Sequence, residues 1–286
     1  MKVYISADME GISGVVDRED TTIGGRGYER ARVLMTADVN AAVAGAYEAG
    51  ATHVLVNDAH AKMRNLIVED LDPGVEVIQG AVKRGCMMEG LDESFDAVFF
   101  LGYHSRAGNP FGVLNHTVWS GGFHNLLLNG EPAGEIAVNA AYSGHLGVPV
   151  ALVTGDQTAV NEAKELLGDV ESAIVKEALG RYTARLPHPS AGQERVRLAA
   201  RRALERVTDF RPYIAASPAT LGIEFTSSAM ADVCSWIPTV ETISPRSVRF
   251  QFDDWRQGMG LMVALLWLAI HVANDMESVS GDSKHR

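Results

Sequence analysis

The sequence predicts an α/β protein built on a doubly wound, mostly parallel sheet, with an inserted hairpin and a smaller C-terminal α/β part. Three observations support this prediction. Short apolar runs of strand character alternate with helical segments through the first half of the chain, as they do in parallel sheets. The tight-turn pair Asn129-Gly130 interrupts that alternation and is typical of a hairpin. After about Asp169 the alternation becomes less regular.

The first half of the chain supplies most of the regular pattern. An apolar run opens the chain and stops at Asp8, which predicts a first strand. Alanine-rich helical periodicity over 29–49 is followed by Gly50, a residue suited to end a helix. The other elements predicted here are strands over 52–57, 75–79 and 96–101, hairpin strands over 116–120 and 123–128, a helix over 134–145, a strand over 148–154 and a helix over 159–167.

The second half is harder to assign. Residues 172–178 fit either a strand or a helix. The remaining predicted elements are a helix over 193–206, strands over 221–225 and 247–252, and a long helix from about 254 to 273. We therefore expect three parts: an α/β domain over 1–168, a C-terminal α+β domain over 169–275 and a disordered tail over 276–286.

Composition argues against several classes of partner. A formal net charge of -11 over 286 residues argues against nucleic acid and against an anionic membrane surface as partners. Cys86 and Cys234 lie far apart and outside any CxxC pattern, which indicates reduced, packed thiols. The chain shows no signal-peptide pattern, and its longest apolar stretch, 261–273, falls short of the ~20 residues that span a bilayer. We expect a cytoplasmic protein in which this stretch is a buried helix.

Two carboxylates follow the first predicted strand. Asp8 and Glu10 stand two residues apart, so an extended backbone directs both side chains to the same face. Adjacent carboxylates repel each other unless a cation or a shared proton offsets the repulsion. The pair alone is equally compatible with a solvated turn at the end of a surface strand.

Histidines follow two further predicted strands. His60 comes after the second strand and His104 after the strand over 96–101, and a doubly wound sheet brings such strand ends to one edge. Glu135 lies at the start of a predicted helix after the hairpin. Imidazoles with carboxylates suit zinc, with cobalt or manganese as substitutes, and this many ligands can hold two ions. These residues make 1–168 the predicted metal-binding domain.

His116 opens a predicted strand in the stretch VLNHT and has no ligand-like spacing. A histidine that is not a ligand but lies near a metal site can act as a general base or stabilise a tetrahedral intermediate. The remaining histidines have no such context, so we interpret them as structural or solvated.

Four motifs resemble the zinc D-aminopeptidases of the DppA type. They are SADMEGISG at the start, VNDAHAKMRN around His60, LGYHSRAG around His104 and NGEPAGEIAVNA around Glu135. The resemblance runs from Met1 to roughly residue 270 with the same order and spacing. It is specific because four motifs agree in register, whereas no single one would suffice.

The resemblance implies a site, an activity and an assembly. It implies two zinc ions per subunit bound by residues matching Asp8, Glu10, His60, His104 and Glu135, with the aspartate bridging. It also implies a catalytic role for His116 and, as weaker matches, substrate contacts from Asn115 and Lys176; for Lys176 a salt bridge is the alternative. Arg181 and Glu224 match family positions without an assigned role. The family forms a decamer that encloses its active sites and cleaves D-Ala-D-Ala and D-Ala-Gly-Gly.

The favoured hypothesis is therefore a zinc-dependent aminopeptidase that releases N-terminal D-residues from short peptides and assembles as a homodecamer. D-specificity rests on the resemblance alone, so a dinuclear hydrolase of an L-peptide or of another amide is the first alternative. A non-catalytic, metal-dependent peptide-binding protein is the second. A phosphoesterase is the third, which Lys62, Arg64 and Arg106 keep open.

Overall fold

A computed structural model describes residues 1–277, which form twelve strands and seven α-helices. The strands are β1 (Lys2–Ala7), β2 (His53–Asp58), β3 (Glu76–Ile78), β4 (Ala97–Leu101), β5 (Phe123–Leu128), β6 (Glu131–Ala133), β7 (Val150–Asp156), β8 (Glu171–Gly180), β9 (Thr183–Arg185), β10 (Ala219–Phe225), β11 (Glu241–Ser244) and β12 (Ser247–Phe252). The α-helices are α1 (Arg18–Thr21), α2 (Tyr28–Glu48), α3 (Glu135–His145), α4 (Gln157–Leu167), α5 (Pro189–Glu205), α6 (Ser228–Cys234) and α7 (Trp255–Glu277). The first two residues of the predicted tail, 276 and 277, belong to α7, and the rest of it, 278–286, lies outside the described residues.

The first sheet has seven strands in the order β3-β2-β1-β4-β7-β8-β9. All neighbours pair in parallel except β8 and β9, which are antiparallel. The order reverses at β1, with β2 on one side and β4 on the other, so the doubly wound prediction is confirmed. Such a reversal opens a crevice at the carboxyl ends of the strands, where ligands bind in this class of fold.

Side-chain alternation divides the core into two layers. In β1, Val3 and Ile5 face a layer formed with α2 and α5, whereas Tyr4 faces the opposite layer. In β4, Phe99 and Phe100 separate in the same way. Both faces of the first sheet are therefore covered, which explains why its strands are continuous apolar runs in the sequence.

The second sheet is antiparallel, with five strands in the order β11-β12-β10-β5-β6. Its hairpin β5–β6 turns at Asn129 and Gly130, whose φ angles of 53° and 89° match the turn that this pair favours. The predicted strand over 116–120 is wrong. That segment is a turn-rich loop in which Val118 has a φ of 60°, an angle incompatible with a strand.

The division expected after residue 168 does not separate the two sheets. Strand β8 follows that point in the chain, yet it pairs in parallel with β7 of the first sheet. The hairpin β5–β6 precedes it, yet it pairs through β5 with β10 of the second sheet. Residues 172–178, which fitted either a strand or a helix, belong to β8. The two cysteines are buried and unpaired, as expected.

Helix α7 is partly exposed. By length and composition alone it is able to cross a membrane, because an 18-residue window within Trp255–Asp275 has a mean hydropathy of 1.4. Met259, Leu265 and Ala269 are buried in the core layer that also contains the second sheet, but only 39% of the apolar window is buried. The prediction of a buried helix therefore holds for one side of α7, and the other side carries half-buried apolar side chains such as Leu266 and Trp267.

The strand ends meet at one edge of the first sheet. Ala7, the last residue of β1, is in register with Asp58 of β2 and Leu101 of β4. The loops that begin there contain Asp8, His60 and His104. Glu135 reaches the same region from the first turn of α3, which follows the hairpin of the second sheet. Both sheets thus contribute to one site.

Candidate metal centre

Asp8 lies between two histidines, with one carboxylate oxygen directed to each. Its Oδ1 is 3.3 Å from Nδ1 of His60, and its Oδ2 is 3.5 Å from Nε2 of His104. Oε2 of Glu10 lies 2.9 Å from the same nitrogen of His60, and Oε2 of Glu135 lies 3.5 Å from that of His104. The five predicted ligands therefore form two groups that share Asp8.

Main-chain carbonyls fix the orientation of both histidines. Nε2 of His60 is 2.8 Å from the carbonyl oxygen of Thr21, and Nδ1 of His104 is 3.0 Å from that of Ser105. A carbonyl only accepts hydrogen bonds, so the ring nitrogen beside it is the protonated one. In the neutral imidazoles, Nδ1 of His60 and Nε2 of His104 are thus unprotonated and face the carboxylates.

This arrangement sets acceptor atoms against acceptor atoms. Asp8 Oδ2, Glu10 Oε2 and His104 Nε2 are buried and have no hydrogen-bond partner among the described residues. Asp8 and His104 are each 2% exposed and Glu10 is 5% exposed, so bulk water does not solvate them. Buried acceptors that face one another require a proton or a cation between them. The donor set fits a metal ion that binds nitrogen and oxygen.

In the absence of metal, the pKa values of the carboxylates and imidazoles reflect this crowding of buried acceptors. Burial, together with the Glu10 carboxylate, raises the pKa of Asp8 to about 7. Burial opposes the charged form of Glu10 as well, but the His60 imidazole outweighs it and holds the pKa of Glu10 well below its usual range. The carboxylates in turn raise the pKa of His60 and of His104 against the effect of burial. Bound protons supply the positive charge here, and a metal ion would displace them.

The loops after β1 and β4 touch through glycines. The N–H of Gly11 donates to the carbonyl of Gly102 at 2.7 Å. A Cβ on Gly11 would lie 2.1 Å from the carbonyl oxygen of Tyr103, and Gly102 has a φ of 68°. The short separation between the loop of Asp8 and the loop of His104 therefore requires glycine.

A buried polar network shapes the loop that contains His60. The Asp58 carboxylate accepts hydrogen bonds from the N–H groups of Asn65 and Leu66 and from the Asn65 side-chain amide. This closes a tight loop in which Ala61 and Met63 adopt φ angles of 50° and 53°. The strained backbone is held by hydrogen bonds that the sequence pattern does not reveal.

His116 lies against the ligand cluster. Its ring stacks on His104, with the ring centroids 4.2 Å apart and the planes 13° apart. Nδ1 of His116 is 2.9 Å from the carbonyl oxygen of Leu114, which leaves Nε2 unprotonated in the neutral ring. Burial and the His104 imidazole lower the pKa of His116. Ligand atoms of His104, His116 and Glu135 lie within 4.8 Å of one another, so His116 is near enough to bind a metal as well as to transfer a proton.

The two predicted substrate-contact residues lie elsewhere. Lys176 is 1% exposed, and its Nζ donates to the main-chain carbonyls of Glu10, Ile12 and Val15. Asn115 turns its side-chain amide to the carbonyl of Asn109. Neither residue lines the cavity at the metal centre, so their contact with substrate stays a prediction. The resemblance to the family identified Lys176. The sequence, however, does not distinguish a lysine that binds main-chain carbonyls from one that binds a ligand.

A cavity of about 540 Å³ opens over the ligand cluster. All five predicted ligands and His116 line it. Residues that the sequence did not single out as substrate contacts also line it, among them the aromatic side chains of Trp119 and Tyr182 and the cations Arg18, Lys62 and Arg181. The sequence does not show that these residues share one cavity, because they come from separate parts of the chain. Glu224, in contrast, binds Asn125 and Arg246 on the second sheet and does not line the cavity.

Imidazole and carboxylate ligands at the open carboxyl edge of a doubly wound sheet are typical of a metal-dependent enzyme rather than of a closed structural site. Comparison with known proteins identifies the family. The chain belongs to the D-aminopeptidase family, peptidase family M55, whose model matches residues 1–264. The resemblance found in the sequence motifs is thereby confirmed.

Two relatives agree with this assignment. The D-aminopeptidase of Bacillus subtilis (strain 168) is 38% identical over 274 residues, which cover 96% of this chain and 99% of that protein. A solved structure, described as the Zn-dependent D-aminopeptidase DppA from Bacillus subtilis, a self-compartmentalizing protease, superposes with a TM-score of 0.91. It covers 94% of this chain and 98% of its own at 38% identity. The mixed α/β architecture is thus that of a known D-aminopeptidase.

Proposed function

We propose that this protein is a zinc-dependent aminopeptidase that releases N-terminal D-amino acids from short peptides. The observation that supports it most directly is the position of Asp8, which directs one oxygen to each of two buried histidines. Family membership supplies the reaction class and the preference for D-residues. The alternatives, an L-peptidase, a hydrolase of another amide or a peptide-binding protein, become outcomes of the test below.

Two zinc ions per subunit account for the ligand geometry. Asp8, Glu10 and His60 would hold one ion, and Asp8, His104 and Glu135 would hold the other, with Asp8 shared. The N–H of Val118 donates to Oε1 of Glu135 at 2.6 Å and so leaves Oε2 as the free ligand oxygen. Each ion would thus receive one imidazole and two carboxylates, with room for water or substrate.

The protein's own groups provide orientation and proton transfer. Bound zinc supplies Lewis acidity, which polarises a carbonyl and lowers the pKa of water. Burial lowers the pKa of His116, and the hydrogen bond to Leu114 leaves Nε2 as the acceptor of the neutral ring. We propose that Nε2 of His116 accepts a proton from the attacking water and then donates it to the departing amine.

We further propose that the subunits form an enclosed homo-oligomer, with a homodecamer as the predicted state. A relative of 38% identity is described as self-compartmentalizing, and α7 has half-buried apolar side chains that a neighbouring subunit would bury further. Light scattering coupled to gel filtration measures the mass directly. A cytoplasmic location remains our proposal from the sequence.

The activity test uses zinc-reconstituted protein with D-Ala-D-Ala, D-Ala-Gly-Gly and L-Ala-L-Ala, and ninhydrin to detect released amino acid. Metal analysis of the same sample should give two zinc ions per subunit. We expect cleavage of the two D-substrates only, lost with a chelator and restored by zinc. Cleavage of the L-peptide would refute D-specificity. No cleavage by protein holding two zinc ions would favour another amide or a binding role.

A further inference from the structure

We propose that Arg181 binds the C-terminal carboxylate of the substrate, so that the enzyme selects peptides whose free C-terminus lies one or two residues beyond the scissile bond. This inference rests on the proposed aminopeptidase activity and adds a carboxylate subsite to it. The subsite would explain a preference for very short peptides in terms of charge rather than cavity size alone.

Three cations line the cavity without an ionic partner. The side chains of Arg18, Lys62 and Arg181, which line the cavity, make no hydrogen bond or ion pair with any residue in 1–275. Several other arginines, such as Arg197 and Arg206, are bound to carboxylates. In a protein with a net charge of -11, unpaired cations around a cavity are a site for an anionic group.

Arg181 is the best placed of the three. It lies in the turn between β8 and β9, and its carbonyl accepts a hydrogen bond from the N–H of Leu114 at 2.8 Å. The carbonyl of Leu114 in turn binds His116. A single residue therefore links the backbone of Arg181 to the proposed catalytic histidine, which fixes the distance between the turn and the reacting centre.

The chemistry of the side chains also favours Arg181. A guanidinium offers a planar pair of donors that matches a carboxylate, whereas an ammonium is a point charge. Tyr182 lies beside the guanidinium, with its ring centroid 5.4 Å from Cζ, and so limits the motion of Arg181. Lys62 already lies over Trp267, with Nζ 5.2 Å from the ring centroid.

The dimensions agree with a short substrate. An extended chain spans about 3.3–3.6 Å per residue, so the carboxylate of a di- or tripeptide lies about 7–11 Å from the amine. A cavity of about 540 Å³ is within the range of sites for small ligands. A peptide with its amine at the ligand cluster therefore keeps its carboxylate inside or at the rim of the cavity.

The test compares D-Ala-D-Ala with its C-terminal amide, which removes only the negative charge. We expect the wild type to have a kcat/KM at least 10-fold higher for the acid, as for a lost hydrogen bond between charged groups. In Arg181→Gln this ratio should fall at least 10-fold, through a higher KM for the acid. Arg181→Lys should keep more of the ratio than Arg181→Gln. The control is Arg185→Gln, since Arg185 is bound to Glu177 and lies outside the cavity.

The outcomes separate the two proposals. If the wild type cleaves neither substrate while holding zinc, the proposed function fails. If it cleaves both and has no preference for the acid, the carboxylate subsite is refuted. If Arg181→Gln keeps the wild-type ratio while Lys62→Met or Arg18→Gln loses it, the assignment to Arg181 is wrong.

Discussion

Replacing Lys176 by methionine removes a buried cation that binds the chain segment of the predicted ligand Glu10. Its Nζ donates to the carbonyl of Ile12 at 3.0 Å and to that of Val15 at 2.6 Å, as well as to that of Glu10. Burial lowers the pKa of Lys176 to about 8, so the group is still mostly charged at pH 7. Methionine has a similar volume and flexibility but no donor, so it removes the hydrogen bonds with little change in packing.

The expected loss of stability follows from these contacts. A hydrogen bond from a charged group contributes about 1.5–3 kcal/mol, and removing one partner of a buried charged arrangement costs about 3–5 kcal/mol. Asp38 and Asp156, whose charges act on Lys176, would lose their cation. We expect the free energy of unfolding to fall by about 3–5 kcal/mol, which corresponds to about 6–20 °C in Tm.

The second expected effect concerns zinc. Because Lys176 binds the segment that begins at Glu10, its loss should release that ligand from its fixed position. Outer groups that orient metal ligands typically change metal affinity 10- to 100-fold, so we expect at least a 10-fold weaker zinc Kd in a chelator-competition titration. The control is Lys164→Met, since Lys164 is exposed on α4. A destabilised Lys176→Met protein with wild-type zinc affinity would refute the positioning role, and unchanged Tm would refute the whole reasoning.

Three further substitutions test the site. His104→Ala should lose metal and all activity, because His104 faces both Asp8 and Glu135; metal analysis after gel filtration checks this, and full zinc content would contradict the ligand assignment. His116→Ala should retain zinc while kcat falls about 100-fold or more, and undiminished kcat would exclude proton transfer by this residue. Gly11→Ala should lower the free energy of unfolding by about 1–3 kcal/mol, because its Cβ would overlap a main-chain carbonyl. Gly180→Ala, whose Cβ meets nothing within 4 Å, is the matched control in thermal melts.

The sequence predicted those parts of the fold that repeat a pattern. Asp8, His60 and His104 follow apolar strands, and parallel pairing forces such strand ends together whatever the loops do. The segment 116–120 failed because its apolar and β-branched residues resemble a strand, whereas the backbone turns at Val118 to donate to Glu135. This backbone conformation depends on a tertiary contact, which leaves no pattern in the local sequence.

The pairing of β8 and the contacts of Lys176 could not be predicted from the sequence for a related reason. A chain that returns to an earlier sheet, as β8 does beside β7, gives no change of composition at the point of return. Lys176 bonds to carbonyls more than 160 positions away in the chain, and main-chain acceptors are the same in every residue. Arg181 was noticed as a motif match, yet only the structure brings it to the cavity wall.

The carbonyls of Thr21, Ser105 and Leu114 have a consequence for mutational libraries. Each is the acceptor for the second nitrogen of an imidazole at the centre, and a carbonyl persists whichever side chain its residue has. An alanine scan at these three positions would therefore leave the acceptors and the histidine tautomers unchanged, even where the lost side chain, such as that of buried Leu114, costs packing. Only changes that redirect the chain, such as proline insertions or loop deletions, would move these three carbonyls. For the histidine tautomers, what selection must preserve at these positions is the path of the backbone.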